Sequence, residues 1–490
     1  YWGTTMGRTV GERTKEDAQL TGAIIVDRAD APPPADRVFV IGMWGDTAGH
    51  ALMVRKRILV TVNGRSWPHT ERLSYALGDT VRWRLINASA DAHPMHLHGF
   101  YFHVDSRGDG LSDSVYATNA GDQDFTSLMK PGTTMSMTWS PVRAGNWLFH
   151  CHLPAHFSRR GPLGTIPLAA SQTHGSMNHA LEGMSGLVMG VSVHATSTTP
   201  DVVPDESARR QLRLVIRPNP NGPATAPHFE YALDDGRSVP PASSTDRAAP
   251  AIVLTRGEPV SITVVNTLAE PTAVHWHGIE LESYYDGVAG FSGSSQRLSP
   301  VIAPGDSFVA RFTPPRNGTF IYHTHIDEER QGPAGLAGPI IVVDSAQLYD
   351  SAKDLTVIAS GPRNSIDSTG QIARIAWLNG SATPSPLDLR VGVRYRLRFI
   401  NMTLLNPNLR FELTSDGALG RWSPVAKDAI DLPAAQRVMR AARQPVSIGE
   451  TADVEFIPEH AGDQQLRALI ADGTVVATLG VRVRPAADAP

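Results

Sequence analysis

Ten of the chain's 18 histidines fall into four short clusters, and each cluster contains a His-X-His spacing. Two imidazoles two residues apart share a face only in an extended strand, where side chains alternate sides with a period of two. Four such pairs commit the chain to β-strands at the places where its chemistry sits. Composition agrees: 43 glycines, 37 prolines, only 19% charged residues and plentiful β-branched residues are the balance of a turn-rich β protein. No helix-rich reading fits.

A chain of 490 residues is too long for one hydrophobic core, and about 100–200 residues per domain predicts three or four domains. The formal net charge of −4, without a dense Lys/Arg run, leaves no electrostatic footprint for nucleic acid or an anionic membrane, so neither partner is expected. No uninterrupted apolar stretch reaches about 18 residues, and a soluble protein is expected. The single cysteine, Cys151, forms no intrachain disulfide and leaves the redox compartment open. The chain opens at Tyr1 without an initiator methionine or a charged-then-apolar leader, and is expected to begin inside a domain.

Alternating segments such as Asp79–Ile86 and Val260–Val265 read as strands joined by turns. Some resemble one another. Gly78–Asn87 has a counterpart in Gly392–Asn401, and Gly338–Asp344 has one in Gly22–Asp27, which internal duplication explains most economically. These anchors place domains at 36–196, 210–345 and 353–487, preceded by the tail of another at 1–28. Pro-rich joints at Ala31–Pro34 and Thr198–Pro204 mark boundaries.

Strand alternation sorts the histidines. His96 and His98 share a face, whereas His93 points to the other; His150 and His152 share a face, with Cys151 opposite. Cys151, His93 and His156, with a weak axial thioether, make the ligand set of a blue electron-transfer copper. The remaining His96, His98, His150, His152, His275, His277, His323 and His325 suit a multinuclear site. Imidazole serves several metals, but the adjacent thiolate and the lack of a carboxylate-rich ligand set favour copper. Peptide links from Cys151 to His150 and His152 then join the two sites covalently.

These clusters, His93-Pro94-Met95-His96-Leu97-His98-Gly99, His150-Cys151-His152 with His156, His275-Trp276-His277-Gly278 and His323-Thr324-His325, resemble the signature motifs of the multicopper oxidases, the family of laccases, ascorbate oxidase and ceruloplasmin. All motifs lie within residues 36–345. The resemblance implies tandem cupredoxin-like Greek-key β-sandwiches and about four coppers per chain: a type 1 ion on His93, Cys151 and His156, a type 2 ion on His96 and His275, and a type 3 pair on His98, His150, His152, His277, His323 and His325. It also implies a small-molecule reducing substrate, dioxygen as acceptor and a periplasmic or secreted location. The family's axial thioether normally follows the second blue-site histidine closely, and Ser158–Gly161 offers none. Glu182–Gly186 resembles the end of that motif, which selects Met184 over Met177 and Met189. Asp286, in Tyr285-Asp286-Gly287, resembles the acid that assists proton delivery; its plainer reading is a turn aspartate before glycine. Glu328 and Glu329 read as a solvated turn.

Laccases usually carry His-Trp-His-Gly early and His-Cys-His late, and here the order is reversed. Aligning Gly22–Asp27 with Gly338–Asp344 brings Gly3-Thr4-Thr5 to the place of His323-Thr324-His325, and aligning Ala461-Gly462 with Ala144-Gly145 puts Arg467, Ala468 and Leu469 where His150, Cys151 and His152 stand. The chain therefore reads as two copies of a two-domain unit, copper-free then copper-binding, followed by copper-binding then copper-free. A homo-oligomer sharing clusters between subunits stays open at this stage. So does a role for the 158–183 insertion, with His174, Met177 and His179, as a lid.

The leading expectation is a laccase-like oxidase of phenolic or similar donors. A metallo-oxidase for Cu(I), Fe(II) or Mn(II) is the alternative within the class, although no Met-rich stretch favours Cu(I). A copper nitrite reductase would share the fold and the blue copper but has no use for a type 3 pair. A non-catalytic copper-binding protein would not need all ten histidines. The scattered His50, His69, His103, His194, His228 and His460 read as structural or merely exposed.

Overall fold

The computed structural model describes residues 21–27, 29–30, 36–45, 58–116, 123–157, 179–195, 208–221, 228–234, 249–346, 349–361, 365–366, 372–373 and 375–486. Strands dominate, and helices among the described residues are limited to single turns such as Pro154–Phe157, His179–Glu182 and Glu328–Gln331. No helix among the described residues is long and apolar enough to cross a membrane. Contacts group the chain into two units, Tyr1–Asp201 with Glu282–Ser299, and Val202–Leu281 with Pro300–Pro490. Residues 158–178 of the long insertion lie outside the described residues, as do Gly3-Thr4-Thr5.

The same pairing pattern occurs three times. In the first unit Arg37–Gly45 runs parallel to Val81–Asn87 in one sheet, and Arg72–Ala76 runs parallel to Val188–His194 in the other. In the second unit Arg210–Pro218 lies parallel to Val260–Asn266 and Ile252–Thr255 to Ala337–Val343. Further along, Asp354–Ser360 lies parallel to Tyr395–Asn401 and Leu387–Arg390 to Val475–Arg484. All other strand pairings are antiparallel among the described residues. One parallel pair per sheet means the chain crosses between layers instead of only making hairpins, which is the signature of Greek-key connections in a sandwich.

Apolar side chains join the layers. In the first unit Trp83 of one sheet meets Phe149 of the other edge-on, with ring centroids 4.9 Å apart, and Trp139 closes over it at 5.3 Å. Tyr231 packs on Tyr322, and Trp276 on Phe312, across residues 210–343 of the second unit. The strands after residue 354 bury Val357, Leu397, Phe399 and Val454 from one sheet against Phe411, Leu413, Leu466 and Leu479 from the other.

A finer repeat marks each sandwich. The strands Gly145–Cys151, Gly318–Thr324 and Gly462–Leu469 all start on a glycine with φ of 126°, 137° and 142°. A side chain is strained there, so the residue is glycine each time. Counting five and seven residues on gives His150 and His152, His323 and His325, then Arg467 and Leu469. Asn87, Asn266 and Asn401 end the equivalent strands, and each amide clamps a following turn: Asn266 Nδ2 donates to Glu270 O at 2.8 Å and Ile302 O at 2.9 Å. The copy at Asn266 is missing from the sequence comparison because Val260–Asn266 shares pattern, but few identities, with the other two.

The first-copy reading fares differently. Gly22–Asp27 echoes Gly338–Asp344, yet residues 21–27 form no strand, and Ile24 and Val26 are exposed. An isolated extended segment gains nothing from its β-propensity until another strand hydrogen-bonds to it. Replacing Trp83 by alanine removes the ring on which both layers of the first unit close, and is expected to cost about 3–5 kcal/mol. Denaturant unfolding monitored by tryptophan fluorescence measures this; a loss below about 1 kcal/mol would place the packing elsewhere.

Candidate metal centre

Alternation along Gly145–Cys151 sends His150 to one side and Cys151 to the other. The strand is held from both flanks. Its residues 145–150 pair with Val188–His194, and Phe149, His150 and Cys151 pair with Leu97, His96 and Met95. Register thus places the two ligand-bearing strands side by side.

On the thiol side, Cys151 Sγ lies 3.5 Å from His156 Nδ1, which lies 3.0 Å from His93 Nδ1, and all three residues are buried. The single turn Pro154–Phe157 delivers His156, and the strand His93–Leu97 delivers His93. Ser89 Oγ is 2.6 Å from His93 Nε2 and Asp91 Oδ2 is 3.4 Å from His156 Nε2, so the outer edges of both rings face polar groups while the inner nitrogens face the sulfur. Burial pushes the Cys151 thiol up, with the Leu153 N–H 3.4 Å away acting in the opposite sense. Burial, then His156, holds His93 well below the ordinary imidazole value. One soft sulfur and two neutral nitrogens converging in a dry pocket fit a copper ion that replaces the thiol proton.

Met184 is buried among Trp67, Leu148, Phe157, Ala180 and Val188. Its loop is laced to the same site: Ser185 N donates to Phe157 O at 2.8 Å, Leu187 N to His156 O at 3.0 Å and Cys151 N to Leu187 O at 3.1 Å. Gly186 permits this approach, since a Cβ there would stand 2.1 Å from His156 O.

On the other face of the first unit, His96, His98, His150 and His152 form one group. Ring centroids are 4.8 Å apart for His96 and His98, 5.0 Å for His98 and His150, and 5.7 Å for His96 and His152. A carbonyl oxygen can only accept, so a ring nitrogen bonded to one must carry the proton. His96 Nδ1 donates to Phe125 O and His150 Nδ1 to Cys151 O, both at 2.8 Å; His98 Nδ1 donates to Asp286 Oδ2 at 2.9 Å. Each ring therefore turns the lone pair of Nε2 inward. The His98 and His150 Nε2 atoms stand 2.9 Å apart, and two lone pairs at that distance repel unless a cation lies near them. Metal ligation fits this arrangement.

The second unit repeats the device. His275, His277, His323 and His325 group with centroid separations of 5.4 Å for His275 and His323, 5.5 Å for His275 and His325, and 5.6 Å for His277 and His323. His323 Nδ1 donates to Thr324 O at 2.7 Å, as His150 does to the carbonyl one residue on.

Asp286 follows the short helix Ser283–Tyr285 and precedes Gly287, so it is a turn residue, but it is also buried, accepting from both His98 and Ser292 Oγ at 2.9 Å. Glu328 and Glu329 are not solvated. They are about 6% and 5% exposed in a single helical turn, with Glu328 Oε1 3.6 Å from His325 Nδ1 and its carboxyl pushed well up by burial and then by Glu329. A run of charged residues carries no sequence sign of burial when its cover is polar. Gln331 was likewise illegible: it accepts from Thr324 Oγ1 at 2.8 Å and Thr272 Oγ1 at 2.9 Å, and donates to Glu270 Oε1 at 2.8 Å, tying the His323–His325 strand to the approach to His275.

Family models agree with this chemistry. Two family models, each described as multicopper oxidase, match residues 38–160 and 245–347. Multicopper oxidase MmcO of Mycobacterium tuberculosis is 30% identical over 192 residues, 39% of this chain and 33% of that protein. Laccase-5 of Trametes versicolor is 31% identical over 191 residues, 34% of each chain, and copper resistance protein A of Escherichia coli is 37% identical over 93 residues, 19% of this chain and 14% of that one. The chain spans about a third of the length of the first two. Among solved structures, a multicopper oxidase variant from Aquifex aeolicus aligns at a TM-score of 0.45 and 20% identity, covering 58% of this chain and 64% of that one.

Asp286→Asn keeps the turn and the side-chain shape but removes the carboxylate from His98. It is expected to weaken copper binding about 10- to 100-fold. Chelator competition measures this, and an affinity equal to that of the parent would reduce Asp286 to a turn residue.

Proposed function

Because the chain belongs to the multicopper oxidase family, with its two matched segments in the reverse of the laccase order, we propose that it is a laccase-like oxidase that takes single electrons from phenolic or similar small donors and passes them to dioxygen. The observation that carries this reading is one strand, Gly145–Cys151, that commits its thiol to His93 and His156 and its neighbouring imidazole to the opposite group. In this reading His93, Cys151 and His156 would hold a type 1 ion, with the Met184 thioether as a further ligand. His96 and His275 hold a type 2 ion, and His98, His150, His152, His277, His323 and His325 hold a type 3 pair. Copper, when bound, supplies the one-electron redox chemistry and the oxygen affinity that no side chain here possesses.

The protein's own work is orientation and coupling. Ser89 and Asp91 face the outer edges of His93 and His156 and set their direction toward Cys151. Burial of all three excludes water from the thiolate and keeps the site from reorganising as charge arrives. Cys151 is one peptide bond from His150 and one from His152, a covalent connection for electrons that needs no contact across space. Asp286, with His98 Nδ1–H and Ser292 Oγ–H on one oxygen, is placed to hold a proton beside the imidazole group. The reading carries with it a periplasmic or secreted location.

Similarity to copper resistance protein A supports a second reading, an oxidase of Cu(I) or another reduced metal ion. Oxygen uptake compared across phenols, amines, Cu(I), Fe(II) and Mn(II) separates the two. A laccase-like enzyme is expected to bind about four coppers per chain and to consume oxygen fastest with a phenol, and Cys151→Ser is expected to abolish the blue absorption and at least 99% of the uptake. Full uptake by Cys151→Ser would refute the proposal. Met184→Leu is expected to raise the blue-site potential with copper content unchanged; an unaltered potential and spectrum would exclude Met184 as ligand.

A further inference from the structure

The strands after residue 354 carry none of the proposed ligands. Arg467 and Leu469 occupy the places of His150 and His152, and Arg467 turns to Glu412 instead. One backbone atom of this sandwich nevertheless meets a proposed copper ligand: Gly449 O lies 2.8 Å from His277 Nε2, with both residues buried. Since a carbonyl only accepts, Nε2 carries the proton and the lone pair of His277 is on Nδ1. His96, His98, His150 and His323 do the reverse, donating from Nδ1.

The carbonyl is fixed in its own right. Gly449 has φ of 77°, and its N–H donates to Asn401 O at 2.8 Å. The Asn401 amide holds the surrounding loop by donating to Asn406 O at 3.0 Å and Val446 O at 2.9 Å. Thr451 Oγ1 donates to Thr319 O at 3.0 Å, and Thr319 Oγ1 donates to Asp453 Oδ1 at 2.8 Å. Arg398 Nη1 reaches both Thr319 Oγ1 and Asp453 Oδ2 at 2.8 Å. This buried lattice ties the Gly449 turn to the strand that bears His323 and His325.

We propose that the copper-free last domain is a positioning element of the metal centre: its Gly449 carbonyl accepts from the Nε2–H edge of His277 and so fixes the direction in which that ring faces the metal. The inference rests on the copper reading above. It explains why a domain without ligands is retained beside one that has them, through second-layer support that orients a ligand ring.

The test uses the full chain and exploits the repeat. Gly305, φ 82°, is the equivalent residue of the preceding sandwich, its N–H bonded to Asn266 O at 2.9 Å, but it is exposed. Gly449→Val and Gly305→Val impose comparable backbone strain. Each is loaded with Cu(II), and copper retention against a chelator and the fraction of copper seen by electron paramagnetic resonance are measured beside the melting temperature. Both variants are expected to melt lower. Only Gly449→Val is expected to lose about 10- to 100-fold in affinity for part of its copper and to show a larger visible fraction, because a magnetically coupled pair that separates becomes visible. Histidine 15N spectra of the parent apoprotein, with the His277 signals identified by their loss in His277→Gln, are expected to show the proton on Nε2; this readout stands even where Gly449→Val does not fold. Equal copper retention in the two variants, or a proton on Nδ1 of His277, would overturn the inference alone. A parent chain that binds no coupled copper would overturn the copper reading and the inference with it.

Discussion

An imidazole presents a lone pair in a defined direction only when its other nitrogen is held, and most of this structure can be read as the means of holding it. Phe125 O, Cys151 O, Thr324 O, Gly449 O and the Asp286 carboxylate each accept a hydrogen bond from one histidine edge. Four of these acceptors are carbonyls of strands or of the loops that border them, so the β-sheet does double duty. Its hydrogen bonds set the register of the chain, and that register decides where each ring's second nitrogen finds an acceptor.

The thiol side follows a different logic. His93 and His156 face each other through Nδ1 at 3.0 Å with Cys151 beside them, and burial disfavours the charged forms of His93 and Cys151. A site that keeps its sulfur protonated until a metal arrives is protected from stray oxidation while empty and gains the full benefit of the thiolate once filled. The adjacent backbone is shared with the other group, so neither site can shift without disturbing its neighbour.

Much of this was legible beforehand, for a physical reason. A period of two is strict, so His93 and Cys151 separate from His96, His98, His150 and His152 without any knowledge of tertiary structure. The glycine at the start of Gly145–Cys151 and Gly462–Leu469 likewise marks a backbone conformation, which is why aligning on it found the place of the missing ligands at Arg467 and Leu469. What escaped notice depended on polar residues whose neighbours are distant in sequence. Glu328 and Glu329 look solvated because charge usually is, and Gln331 looks idle because nothing nearby announces Thr272 or Glu270. Gly449 could not be read at all, since the contributing atom is a main-chain oxygen common to every residue. The Gly22–Asp27 echo lies in a segment that pairs with no strand among the described residues: similarity of side chains does not supply a hydrogen-bonding neighbour.

The excursion Glu282–Ser299 belongs with the first unit although second-unit chain precedes and follows it. It contributes Asp286 to His98, Ser283 to Asn146 and a strand edge at Gly293. A gene fragment ending near residue 201 would therefore encode a first unit lacking one of its own histidine partners. The first unit is therefore not a module that recombination can trade freely: a cut near residue 201 leaves behind a piece that it requires, and that piece is inherited inside the coding sequence of the second.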